Sequence, residues 1–274
     1  MANVLKLEKQ VAVISGLVEG VSVRSIERMT GVHRDTVLRL MVRVAGAAAS
    51  YSDRTLRDLP CERIEVDEIW AYVAKKQRNV SPDDNRRLVG DQYTFVALDP
   101  ESKLIPCWRV GKRTAETTWD FCADLKSRLR NRVQLSSDAF EPYFNAVDAA
   151  FGHQVDYATI VKTYEETPAG RGRYSPPRIV SVEKDEKIGF PNLDLTGTSY
   201  VERQNLTIRM QVRRLTRLTN AFSKKVENLK AAMDLHFTHY NFVRFHKTIR
   251  CTPAMEAGVV SSPMTVKELV EMAA

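Results

Sequence analysis

The chain has 274 residues, 43% hydrophobic and 27% charged, which suits one large globular domain plus a small one. No apolar run is long enough for a membrane span, nothing resembles a secretion signal, and the four cysteines form no CxxC pair, so membrane insertion, a disulfide framework and a zinc ribbon are disfavoured. The net charge of +7 is concentrated: Arg203–Arg250 carries 11 Lys/Arg against two acids, Glu227 and Asp234. Such a stretch suits a polyanionic partner, although a solvated basic helix face has the same composition.

In chain order, Leu5, Val11, Ile14 and Val18 mark a first helix at helical spacing, closed by Gly20. Ser22 is placed to cap a second helix, which carries Ile26 and Met29 and ends at Gly31. A third follows the Val32-His33 turn, with Val37, Leu40, Met41 and Val44 inward. Two short helices joined by a Gly-containing turn form a helix-turn-helix signature. The outward set Arg34, Asp35, Thr36, Arg39 and Arg43 suits base edges and phosphates. A three-helix bundle used for protein contacts is the plainer alternative. Residues 1–48 therefore read as a small all-α DNA-binding domain. The small, polar residues 49–60 read as a linker.

From Cys61 the pattern turns to strands: Ile64–Ala74, then a charged hairpin tip over 75–91, then Tyr93–Leu98 and Leu104–Val110. A helix over 115–130, a strand over 133–137, a helix over 140–151 and a strand over 155–161 follow. Thr163–Thr198 is rich in Pro and Gly and reads as an irregular insertion. Two helices, over 199–219 and 223–243, come next. The order β-β-β-α-β-α-β-α is that of an α/β, RNase H-like fold with a mixed five-stranded sheet. This domain is placed at 61–258, with a tail over 259–274. Trp70, Trp108 and Trp119 are expected in the core.

Three acids sit where this order would gather them. Asp67 lies mid-strand in VDEIW, Asp138 ends the fourth strand in LSSDAF, and Glu202 is in the first turn of a helix in SYVERQN. A carboxylate in an apolar strand is costly unless paired or bound to metal. Hard oxygen ligands suit Mg²⁺ or Mn²⁺, and a pair of such ions supports in-line phosphoryl transfer. Each acid also has an ordinary explanation: an edge-strand surface residue for Asp67, a helix cap for Asp138, and a favourable first-turn charge for Glu202. Glu65 would share a face with Asp67, and Glu68 would oppose it; both rank below Asp67.

The segments Tyr200-Val-Glu-Arg-Gln-Asn-Leu-Thr-Ile-Arg, Arg214-Leu-Thr-Arg and Phe222-Ser-Lys-Lys resemble the Glu-bearing helix region of bacterial insertion-sequence-one DDE transposases. Val66-Asp-Glu-Ile-Trp resembles their first-Asp strand, and Ser137-Asp-Ala-Phe falls where their second Asp does. The segment from His239-Tyr-Asn-Phe to Thr252-Pro-Ala-Met resembles a closing stretch of many such enzymes. The resemblance spans 61 to about 258. It implies a triad of Asp67, Asp138 and Glu202 that binds Mg²⁺ (or Mn²⁺), two ions in all, and frees a 3′-hydroxyl for attack on target DNA. It further implies recognition of terminal inverted repeats in double-stranded DNA, a homo-oligomer of at least two chains on the DNA, and a cytoplasmic, nucleoid location. Arg203, Asn205 and Arg209 travel with the Glu motif and are expected near DNA phosphates, with bracing of their own helix as the alternative. Arg213, Arg214, Arg217, Lys224 and Lys225 are expected to contact phosphates. A nuclease of the same fold would share the acids without joining DNA ends. A non-catalytic DNA-binding regulator would tolerate loss of Glu202.

Overall fold

The computed structural model describes residues 5–165 and 178–273. The N-terminal part is three helices, α1 (Leu7–Val18), α2 (Val23–Thr30) and α3 (Arg34–Thr55). Ser22 caps α2 by accepting the Ser25 N–H at 3.1 Å. Gly31 closes it at φ 69°, a left-handed geometry that lacks a Cβ penalty only in glycine. Val13, Ile14, Ile26, Val37, Met41 and Val44 are buried together as the 3.6-residue spacing requires. The expected linker over 49–60 is helical as far as Thr55, because α3 runs on for 22 residues. Its run of alanines, which looks like a linker by size, has the highest helix propensity of any residue. Ala45, Ala48 and Ser52 are buried on the side of α3 that meets α7, where the Ser52 and Thr238 hydroxyls pair at 2.9 Å.

Strands β1 (Arg63–Val73), β2 (Gly90–Leu98) and β3 (Cys107–Gly111) form an antiparallel meander. Helix α4 (Ala115–Arg128) leads to β4 (Val133–Ser137), which lies parallel to β1. Helix α5 (Pro142–Phe151) leads to β5 (Val155–Tyr164), parallel to β4. The sheet is six-stranded, in the order β3-β2-β1-β4-β5-β6, rather than the expected five. The extra strand, β6 (Ile179–Ile188), pairs antiparallel with β5 inside the stretch expected to be irregular. It is exposed on both faces along nearly its whole length, so it has no burial alternation for a pattern reading to detect. Residues 166–177 of that expected insertion lie outside the described residues.

Helices α6 (Ser199–Gln211) and α7 (Val226–Phe242) follow, then the short α8 (Pro253–Glu256) and α9 (Val266–Glu271). The first of these stops at Gln211, short of the expected 219, because Val212 and Leu215 turn into the core beneath it. The expected tail also holds an element: Thr265 and Glu268 form a capping box that starts α9, and Leu269 and Val270 bury against the N-terminal helices.

Alternation along β1 sorts the layers. Ile64 and Val66 face α4 and α5, packing with Phe121, Tyr143 and Val147. Ile69, Ala71 and Val73 face α6 and α7, packing with Val201, Ile208 and Phe237. Trp108 lies against Phe237 and donates its indole N–H to Asp234 at 2.8 Å. Trp119, expected in the core, is 50% exposed, because α4 turns Phe121, Cys122 and Leu125 inward instead. Among the described residues no helix is long and apolar enough to cross a membrane.

Candidate functional site

β1 outruns its parallel neighbour. The β1–β4 pairing stops at Glu65 opposite Ser136, so Asp67 and Glu68 stand just beyond the end of β4, beside Asp138. One carboxylate oxygen from each of Asp67, Glu68 and Asp138 lies within 4.8 Å of the others. The sequence expectation that Asp67 and Asp138 meet agrees with this arrangement. The third member of the cluster is Glu68, which ranks below the central, apolar-flanked Asp67 in the sequence and lies on the opposite face of β1. Beyond the last β4 pairing no strand among the described residues pairs with β1 on that side, so carboxylates from both its faces reach the same edge.

Asp67 is half-buried. Its Oδ1 accepts the Glu68 backbone N–H and its Oδ2 accepts the Asn205 side-chain amide, each at 2.8 Å. Burial pushes its carboxyl up to about 7, reinforced by the negative charges of Glu68, Asp138 and Glu202. Glu68 is also raised, by burial first and then by Asp138, while Arg113 and Tyr143 oppose the shift. Arg113 pairs with Glu68 through Nε, lies 3.7 Å from Asp138, and stacks on Phe140 at 3.9 Å. It is the cation that lets these acids approach one another. Tyr143 donates its hydroxyl to Glu68 at 3.1 Å. Asp138 also accepts the Phe140 N–H at 3.0 Å, a local turn bond ahead of the helix rather than a cap, since α5 starts at Pro142 behind Glu141.

Glu202 projects from the first turn of α6 toward the same edge but is not in the cluster. Its carboxylate is held by Lys162 at 2.5 Å and Thr198 at 2.8 Å. What fixes α6 is Glu65, whose side chain is almost wholly buried and whose Oε2 accepts the backbone N–H groups of Tyr200 at 2.8 Å and Val201 at 3.0 Å. A carboxylate on two unpaired N–H groups at a helix N-terminus is a strong anchor, because it meets both hydrogen-bond demand and helix dipole. Glu65 and Asp67, two residues apart on one face of β1, thus grip α6 at its first turn and one turn on, with Glu202 between. Sequence reasoning noted the shared face but missed the role of Glu65, since the docking of α6 is not encoded locally. Arg113 and Lys162 gave no local signal at all.

The basic residues divide. Arg34, Arg39, Arg203, Arg213, Arg217, Lys224 and Lys225 are exposed, and Thr36 is half-buried. Arg43 is exposed but spends one N–H on Gln10 at 2.6 Å. Asn205, expected near phosphates, instead braces Asp67. Arg209 is half-buried and donates to the Leu215 carbonyl at 3.3 Å. Arg214, expected on the surface, turns inward to the Ser223 hydroxyl at 3.2 Å and the Met41 sulfur at 3.7 Å. That turn follows from the 3-10 segment Arg213–Leu215, which rotates Arg214 away from the face it would occupy on a continued helix.

Chemically, three clustered carboxylates with a fourth nearby are a hard-oxygen donor set, the kind Mg²⁺ and Mn²⁺ take. No protein-family model matches the chain, and no curated protein matches it.

Proposed function

We propose that the chain is a metal-dependent DNA-cutting and DNA-joining enzyme, a DDE transposase, with Asp67, Asp138 and Glu202 as its metal-holding carboxylates. The observation that carries this reading is the acidic cluster at the open edge beside β4, with the Glu202 helix pinned onto it by Glu65 and Asn205. The β3-β2-β1-β4-β5 part of the sheet, three antiparallel strands followed by two parallel additions, supports an RNase H-like assignment. The α2–Gly31–α3 arrangement, with Arg34 and Arg39 exposed on α3, supports a helix-turn-helix that reads DNA. Double-stranded element ends and target DNA would be the partners, in an assembly of at least two chains.

Bound divalent ions would activate a water or 3′-hydroxyl and neutralise charge on the phosphate in an in-line displacement. The chain's own residues do the rest. The like charges around Asp67 favour a cation over three ionised acids alone. Arg113 fixes Glu68 against Asp138. Lys162 neutralises Glu202, and were Glu202 to hold metal, this ammonium would be free to pair with a DNA phosphate.

The test is cleavage and strand transfer on the DNA flanking the gene, with Mg²⁺ and Mn²⁺, comparing wild type with Glu202→Gln. Metal-dependent 3′-hydroxyl ends that join target DNA, lost in the variant, are expected. Cutting without joining would instead make it a nuclease. Specific binding without chemistry in either protein would make it a DNA-binding regulator.

A further inference from the structure

The connection between α6 and α7 doubles back against α1–α3 and leaves a cavity of about 620 Å³ between them. Gly20 permits the approach: at φ 77° it meets the Gln211 carbonyl so closely that a Cβ would lie 2.9 Å from it. The walls are apolar, with Leu38, Met41, Phe222, Ala232 and Leu235. Arg24, Arg34, Arg213, Arg214 and Lys224 also line it, and no carboxylate does.

Of the lining groups, one cation has no anion beside it and one ring has no hydrogen-bond partner among the described residues. Arg214 has a hydroxyl and a thioether as its hydrogen-bond acceptors and no ion-pair partner among the described residues. Burial lowers its pKa to about 10, the mark of a charge held without an anion. His236 is 2% exposed, and neither ring nitrogen has a partner among the described residues. Burial holds it neutral, with its pKa down to about 3, so the ring offers one donor and one acceptor. Buried polar groups are ordinarily paired, and these two share one cavity.

We propose that this cavity binds a nucleotide, its base against the apolar walls with a polar edge at His236, its phosphate on Arg214 and the neighbouring cations. The volume is that of a small-molecule site. An acyl chain would leave the amides of Asn220 and Asn228, which also line the cavity, and His236 unused, whereas a base uses such groups. The choice of ligand rests on the DNA reading above. Ser223, which accepts from Arg214, pairs with Val73 at the far end of β1. That is six residues from Asp67, about 20 Å along the strand. An unstacked nucleotide of a strand lying across the carboxylates is therefore within reach of the cavity, and a free nucleoside monophosphate has the same chemistry.

The experiment uses the full chain with three probes: a blunt duplex, the same duplex with a single-stranded extension carrying 2-aminopurine, and free dAMP. Two variants, Arg214→Met and the cavity-filling Ala232→Phe, are checked for folding by thermal melting. Expected is tighter binding of the extended duplex than the blunt one, with a 2-aminopurine signal, weakened about tenfold or more in both folded variants while blunt-duplex affinity holds. Extended and blunt duplexes bound alike, or variants equal to wild type, would overturn the cavity proposal and leave the DNA reading standing. Saturable dAMP binding that is lost in the variants, without binding of either duplex, would sustain the nucleotide site and sink the DNA reading. Binding of no probe would end both.

Discussion

The edge beside β4 and the cavity beneath the N-terminal helices are opposite electrostatic problems. At the edge, Asp67, Glu68 and Asp138 crowd together with one guanidinium to serve them, and a carboxyl is pushed up to about 7. In the cavity, cations gather without an acid, and a guanidinium is pulled down to about 10. Neither place is balanced from within the described residues. A protein that needed these charges only for stability would pair them, since a lone buried charge costs several kcal/mol. On the functions proposed above, the two regions would take ligands of opposite sign, a cation at one and a phosphate at the other.

Removing a carboxylate from the edge should have the largest effect. Asp67→Asn or Asp138→Asn is expected to lower metal-dependent cleavage by about 10²–10³-fold or more while leaving the metal-free melting temperature equal or higher. A lower melting temperature with activity retained would make the cluster structural.

Glu65→Ala should come next, since it strips the anchor from α6. Activity is expected to fall about 10–100-fold, as for groups that orient metal ligands. Stability should drop by about 1–2 kcal/mol, as for a lost helix cap, whether or not metal is present. Unchanged denaturation curves would show that α6 does not depend on Glu65.

Gly20→Ala tests the cavity's closure. With a strained φ and a Cβ against the Gln211 carbonyl, it should cost about 1–3 kcal/mol in chemical denaturation. It should weaken extended-duplex binding more than it weakens cleavage of bound DNA.

The two regions also titrate in opposite senses. Asp67 has a folded pKa of about 7 against an ordinary 3.8. Over that window the folded state holds the extra proton, so this group makes the metal-free protein less stable as pH rises from about 4 to about 7. His236 is held at about 3 against 6.5, so there the unfolded state takes the proton and stability is lost as pH falls below about 6.5. Each slope is bounded by about 1.4 kcal/mol per pH unit. Melting curves across pH should therefore lose the first slope in Asp67→Asn and the second in His236→Leu; identical profiles would refute both assignments.

The smallest effect belongs to the exposed cations. Alanine at Arg213, Arg217, Lys224 or Lys225 should each reduce the salt dependence of duplex binding by about one unit of slope, with little change in sequence preference. A changed preference would move that residue from phosphate contact to base reading.

Much of this was legible in local pattern. The caps at Ser22 and Gly31, the alternation of β1 and the element order through β5 follow from spacing and turn chemistry, which act over a few residues. An acid in the middle of an apolar strand was legible too, because its burial cost has to be met by a partner. Misread were the elements whose signal is non-local or masked. The alanine stretch of α3 resembled a linker because its partner, α7, is far along the chain. β6 lacked alternation because neither of its faces is covered.

By itself the sequence determined which residues were available: Asp67 on β1, Asp138 after β4, Glu202 in a helical first turn, and a basic stretch after it. Only the tertiary structure decided their company. β1 outrunning β4 brought Glu68 into the cluster, and the docking of α6 made Glu65 an anchor and Asn205 a brace. The 3-10 turn after α6 sent Arg214 inward, to a cavity that His236 also lines. The reason is physical: propensity and periodicity act between near neighbours, whereas pairing a buried charge depends on whichever distant segment folding brings beside it.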